Sequence, residues 1–147
     1  MFPLNIDAVN NNLPLNYTSE KTDFIDTRNI SLVLTSSGFA VFAPDYIGFT
    51  NSKDKEHPYV YYPELFNAII GGIHAVKSFI KEQGYPEDKR VFLAGWSQGA
   101  GAAISANKYL EENYFNEFTV VASSGLAGPY NFSRFMNFVF ENKKDAF

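Results

Sequence analysis

Arg90-Val91-Phe92-Leu93-Ala94-Gly95-Trp96-Ser97-Gln98-Gly99 is the stretch whose reading decides the fold. The run from Arg90 to Ala94, apolar after its first residue, follows a charged stretch and has the pattern of a parallel strand buried on both faces. Ala100 to Asn113 carries small residues and then Tyr109, Leu110, Glu111 and Glu112, which suits a helix. A strand that passes straight into a helix strains the residue at the turn. Small neighbours are needed where the two backbones pass closely, and Gly95 and Gly99 meet that need. Ser97 is then expected to project its hydroxyl from the tip of the strand as a nucleophile. The backbone N–H of Gln98, at the positive end of the helix, is the expected oxyanion donor. Three fixed positions in five arise by chance in roughly 5% of chains this long. Requiring a strand before and a helix after lowers that figure about tenfold.

Other residues point the same way. Gly38-Phe39-Ala40-Val41-Phe42-Ala43-Pro44-Asp45-Tyr46-Ile47-Gly48-Phe49-Thr50-Asn51-Ser52 resembles the fourth strand of the α/β-hydrolase superfamily and the loop that leaves it. His57-Pro58-Tyr59 follows, and Gly128-Pro129-Tyr130 lies after the next strand beyond the elbow, the turn Gly95 to Gly99 that carries Ser97. Taken together, residues 27 to 133 resemble the secretory-lipase-like and esterase branch, with prolyl-oligopeptidase-like peptidases as neighbours. The resemblance implies an α/β protein with a partial α/β-hydrolase core. Its sheet is short and mostly parallel, flanked by helices, and without the first and last strands of the full fold. It also implies hydrolysis of carboxylic esters or lipids through an acyl-enzyme on Ser97, with no cofactor and no metal. A peptidase and a non-catalytic binding protein on the same fold stay open. Trp96, Tyr46 and His57 are candidates for a substrate pocket, with packing as the competing reading for each. Two residues depart from the family pattern: Thr50 stands where a glycine is common, and Asn131 where an aspartate is common.

The 147 residues are 46% hydrophobic, with 15 phenylalanines and 9 tyrosines, enough for the core of one domain. A net charge of -4 without a basic cluster argues against nucleic acid as a partner. No apolar run approaches the roughly 18 residues of a membrane span. The chain therefore reads as soluble, and its start, Met1 to Asp7, lacks the basic leader and apolar core of a signal peptide, so export of the chain as given is not expected. The compartment stays open, with secretion of a parent protein among the options. Zero cysteines exclude disulfides and thiolate metal sites. Gly99-Ala100-Gly101 at a helix start suggests a phosphate cradle, but Ile104 stands where a dinucleotide fingerprint needs a small residue.

Residues 1–26 are rich in Asn, Asp, Ser and Thr, with Pro3 and Pro14, and are expected to form an irregular arm ahead of a core spanning 27–147. Ile30, Val33 and Leu34 share a helical face that Gly38 ends. Ala40 to Ala43 is expected to be a short buried strand stopped by Pro44. Pro63 opens the next helix and Gly84 closes it, with Phe66, Ile69, Ile70, Ile73, Val76 and Ile80 on one face. The mid-helix pair Gly71-Gly72 predicts a close crossing there. A further strand is expected over Phe118 to Ala122, and a last helix capped by Ser133, bearing Phe135, Phe138 and Val139.

A serine needs a base within hydrogen-bond reach and a third group to hold that base. The superfamily order is serine, acid, histidine, yet no histidine follows Ser97. His74 falls in a helix that covers the sheet and reads as structural. His57 lies at the correct edge and is open as a substitute base or a substrate contact. Segment 122–133 holds no Asp or Glu, and Glu141 and Asp145 come late. The expectation is therefore a central piece of a larger hydrolase, lacking the triad acid and histidine. The resemblance also implies a third strand lying between residues 40–43 and the elbow strand. In its absence those strands must pair with each other, with Leu4 to Ala8, or with another chain through an open edge.

Overall fold

Two parallel strands, β1 (Arg90–Trp96) and β2 (Thr119–Leu126), form the centre, and one helix, α3 (Gln98–Asn113), connects them. The computed structural model describes residues 25–86 and 88–141. Within them, α1 (Ile25–Ser36), a 3-10 turn at Thr50–Ser52 and α2 (Tyr62–Glu82) precede β1, and α4 (Phe132–Glu141) follows β2. The arm expected over residues 1–26 falls almost wholly outside the described residues, as do Leu4 to Ala8 and Asp145.

The strands pair from Arg90 with Thr119 to Trp96 with Leu126, with one irregularity after Val91 that steps past Val121. Beyond it the register holds to the end of β1. The buried core lies on one side of this sheet. Leu65, Ile69, Ile70 and Ile73 of α2 meet Ala102, Ala103, Ala106 and Leu110 of α3, together with Leu93, Phe118 and Tyr46. Alanines at helical spacing on α3 bring its axis close to its neighbours, and the branched residues of α2 fill the space between.

The strand over Phe118 to Ala122 is found, shifted to Thr119–Leu126. The expectation that β1 is buried on both faces is not met. Leu93 and Gly95 are buried, whereas Phe92 is 36% and Trp96 55% exposed. The reason is that α2 and α3 cover one face only; on the other, Phe39 meets Phe92 edge-on at 5.1 Å. The strand expected at Ala40 to Ala43 does not form either. A strand exists only through its ladder, and among the described residues that segment has no strand beside it. On α1, Ile30 and Val33 share their face as expected, but both are exposed.

Local signals hold well at the helix ends. Gly38 and Gly84 take φ +89 and +76, and in each case the next residue donates back five positions: Phe39 N–H to Leu34 O at 3.1 Å and Tyr85 N–H to Ile80 O at 3.1 Å. Pro63 lies in the first turn of α2, where its missing N–H costs nothing. The cap of α4 is Asn131 rather than Ser133, because its Oδ1 accepts from Arg134 N–H, three residues on, at 3.0 Å.

The glycine pair in α2 divides its roles. A Cβ on Gly72 would fall inside the ring of Phe42, so this position fixes how residues 39–43 lie against the helix, whereas a Cβ on Gly71 meets nothing. Gly71→Ala is therefore expected to stabilise by about 0.5–1 kcal/mol through helix propensity. Gly72→Ala is expected to lose about 1–3 kcal/mol to overpacking. Urea unfolding of the two variants side by side checks the contrast; equal shifts would refute the Phe42 contact.

Candidate active site at the end of the first strand

Ser97 belongs to the strand and the helix at once. Its N–H continues the ladder by donating to Leu126 O at 2.9 Å, while its carbonyl accepts from Ala100 N–H at 3.0 Å and Gly101 N–H at 3.3 Å. Meeting both demands in one residue puts it at φ 52, ψ -120, a region that side chains rarely tolerate. The surroundings enforce it. A Cβ on Gly95 would land on the carbonyl of Gly99, so the strand and the first helical turn touch backbone to backbone. The two glycines of the motif are the two sides of that contact.

The Ser97 side chain does not cap α3. Its hydroxyl is left at the strand tip, half-buried, rather than spent on the helix. Ala100 is the first residue of α3 to donate within the turn. The N–H groups of Gln98 and Gly99 therefore lie ahead of the helix's own hydrogen bonds, at its positive end.

Gln98 is only 1% exposed. Its Nε2 lies 2.9 Å from His57 Nε2, and His57 Nδ1 lies 2.8 Å from Ile47 O. A carbonyl can only accept, so Nδ1 carries the proton and Nε2 accepts from the Gln98 amide. Both ring nitrogens are engaged, and His57 in this state has no lone pair to offer Ser97. Phe49 at 4.7 Å and Tyr46 at 6.0 Å between ring centroids hold the imidazole from its faces. The turn that delivers it depends on Gly48, at φ +95, whose Cβ would press on the backbone of His57. Ser52 Oγ secures the same turn, accepting from Gly48 N–H at 3.1 Å and donating to Phe49 O at 2.9 Å.

The loop after β2 closes the opposite side. A Cβ on Gly125 or Gly128 would strike Tyr130, and one on Gly128 would also meet Ala100, so this loop sits against the first turn of α3. Tyr62 donates to Pro129 O at 3.2 Å and lies over Gly101, where only a hydrogen fits. Tyr62 joins α2, α3 and this loop, and sequence reasoning missed it because nothing in its spacing relates positions 62, 101 and 129.

Of the candidate pocket residues, Trp96 is exposed beside Ser97. Tyr46, by contrast, is 3% exposed, stacked on His57, and contributes to the wall of a cleft away from Ser97. An open cleft of about 430 Å³ runs along Phe42, Pro44, Ile47, Phe49 and Ala68, and Ser97 does not line it. His74 lies near the start of β2, at the other end of the sheet from Ser97, 3.8 Å from Glu117 and edge-on to Tyr114 and Phe118. Among the described residues no group of three or more acidic or histidine side chains could hold a metal ion. Nor is any described helix long and apolar enough to cross a membrane.

Comparisons with known proteins bear on the family and the fold. The secretory lipase family matches residues 14–137. The rice cell wall degrading esterase LipA from Xanthomonas oryzae, in a ligand-bound form, is 30% identical with a TM-score of 0.68, over 76% of this chain and 30% of that one. A protein from Legionella pneumophila classed provisionally as a hydrolase is 25% identical with a TM-score of 0.74, over 94% of this chain and 35% of its own. A search of curated proteins finds no match. The fold is a partial α/β-hydrolase fold, and the chain spans about a third of the length of these structures.

Two outcomes follow from the site's geometry. Ser97→Gly removes the steric penalty at φ 52 and is expected to stabilise the chain by about 1–2 kcal/mol in urea unfolding, even though it deletes the hydroxyl. A loss of stability would show that the turn is not strained. Burial, and then the neighbouring Tyr62 phenol, push the Tyr46 phenol well above its ordinary range. The folded state therefore holds this proton more tightly than the unfolded chain. The stability tied to it is intact below pH ~10 and falls as pH rises beyond that value. Urea midpoints measured from pH 8 to 11 should show this fall, and Tyr46→Phe should reduce it.

Proposed function

The chain belongs to the secretory lipase family, and we propose on that premise that it carries the nucleophile of a carboxylic-ester hydrolase. The observation that carries the reading is Ser97 at φ 52, ψ -120, with its hydroxyl free of the helix cap. Ser97 Oγ attacks the acyl carbon of the ester and gives its proton to a base. The carbonyl oxygen becomes an oxyanion and receives the Gln98 N–H, whose position at the helix N-terminus favours negative charge. Collapse of this intermediate expels the alcohol, which takes the proton, and leaves an acyl group on Ser97. Water then repeats the sequence and releases the acid.

The base is not His57, whose nitrogens are committed to Ile47 and Gln98, nor His74 at the other end of the sheet. These are the only two histidines of the chain. The proton acceptor and the acid that orients it are assigned to parts of the protein beyond these residues, in keeping with structural neighbours about three times as long. Amides are open to the same chemistry. Esters are preferred because the family is that of secretory lipases and LipA is an esterase. Trp96, exposed beside the nucleophile, is proposed to contact the acyl chain.

In the intact protein, Ser97→Ala is expected to lower kcat/KM for p-nitrophenyl butyrate by about 10³-fold or more. A fluorophosphonate should label Ser97, seen as a mass increase that the variant lacks. Hydrolysis at the unmutated rate in Ser97→Ala would overturn the assignment.

A further inference from the structure

Gln98 buries an amide directly behind the proposed oxyanion donor, and a buried amide is costly unless it is bonded. Its hydrogen-bond partner is His57, 41 residues away in sequence. The bond closes a chain from the Ile47 carbonyl through both imidazole nitrogens to the first residue of α3. The Gln98 Oε1 faces away from the ring, buried and without a hydrogen-bond partner. The amide is thus seated through its NH₂ group alone.

The backbone beside it needs holding. Ser97 at ψ -120 is far from the left-handed well near ψ +47 that shares its φ. Rotation toward that well would reverse the Ser97–Gln98 peptide and turn the Gln98 N–H away from the strand tip. The helix resists through the bonds that the Ser97 carbonyl accepts from Ala100 and Gly101. The Gln98 side chain resists from the other side, because reversal would pull its amide off an imidazole that is itself clamped by Phe49, Tyr46 and the turn at Gly48.

We infer that His57, as the Nδ1–H tautomer, is a positioning residue. By accepting from the Gln98 amide it locks the Ser97–Gln98 peptide with its N–H aimed at the developing oxyanion. The lock itself follows from the geometry, and its effect on rate rests on the ester-hydrolase reading. The requirement is chemical: the partner of Gln98 must present a lone pair that its own other face cannot withdraw, which the Ile47 carbonyl ensures by holding the proton on Nδ1.

The test begins with nitrogen-15 NMR of the unmutated chain. The expected result is a neutral His57 ring protonated at Nδ1, with a scalar coupling across the hydrogen bond between Gln98 Nε2 and His57 Nε2. A ring protonated at Nε2, or no coupling, overturns the proposal. Gln98→Met then keeps the volume and the peptide N–H but removes the donor. Residual dipolar couplings of the position-98 N–H should change from one fixed orientation to an average of two; unchanged couplings overturn the lock. In the intact protein, kcat for p-nitrophenyl butyrate should fall about 10- to 100-fold in Gln98→Met and in His57→Ala with KM little altered, below the loss expected for deleting a whole donor. An unchanged kcat in folded Gln98→Met overturns the catalytic consequence. Should Ser97→Ala retain full activity, the hydrolase reading fails instead, and the NMR measurements still decide the lock.

Discussion

The structure turns on a change of hydrogen-bonding partner within one residue. Ser97 donates across to β2 and accepts from its own helix, so a strand becomes a helix with no loop between them. No ordinary backbone conformation does this, and the strain at φ 52 is the result. The segments around it are closely packed. Gly95 must lack a side chain because the helix returns onto it, Gly101 because Tyr62 lies over it, and Gly125 and Gly128 because Tyr130 folds across them. Gly95 thus makes room for the helix itself, and the other three make room for the two tyrosines that pack around its first turns.

The core gives that strain something to lean on. α2 buries its branched residues against the alanine face of α3, and α3 lies on the sheet, so the helix that begins at Gln98 cannot shift without disturbing the buried core. Burying a leucine or isoleucine side chain is worth about 1.5–3 kcal/mol, comparable to the strain of one disfavoured residue. Several such side chains therefore outweigh it. The opposite face of the sheet is different in kind. Phe92, Val121 and Leu126 are exposed there, and elsewhere Ile30 and Val33 of α1 are exposed too. This agrees with a chain that spans about a third of its structural neighbours.

His57 shows why composition and spacing alone leave chemistry open. A histidine at the right edge of an α/β sheet is an obvious candidate base. Its role depends on which atoms face its two nitrogens, and these are a carbonyl ten residues back and an amide on the elbow itself. Tyr46 is a parallel case: it is almost wholly buried against His57 while still forming part of a cleft wall, a division of surface that no spacing predicts.

What the sequence determined by itself was local. The elbow, the glycine stops at 38 and 84, the proline in the first turn of α2 and the apolar face of that helix all rest on conformational limits or periodicities that act within a few residues. They are legible because the physical cause and the residue that shows it lie side by side. The tertiary structure alone decided the rest. Residues 40–43 read as a strand, but a strand needs a neighbour to pair with, and none of the described residues supplies one. Whether β1 is covered on one face or two, whether His57 faces Ser97 or Gln98, and whether Tyr62 reaches Pro129 depend on contacts between segments tens of residues apart. No spacing along the chain encodes such contacts, because they are fixed only when the whole core packs at once.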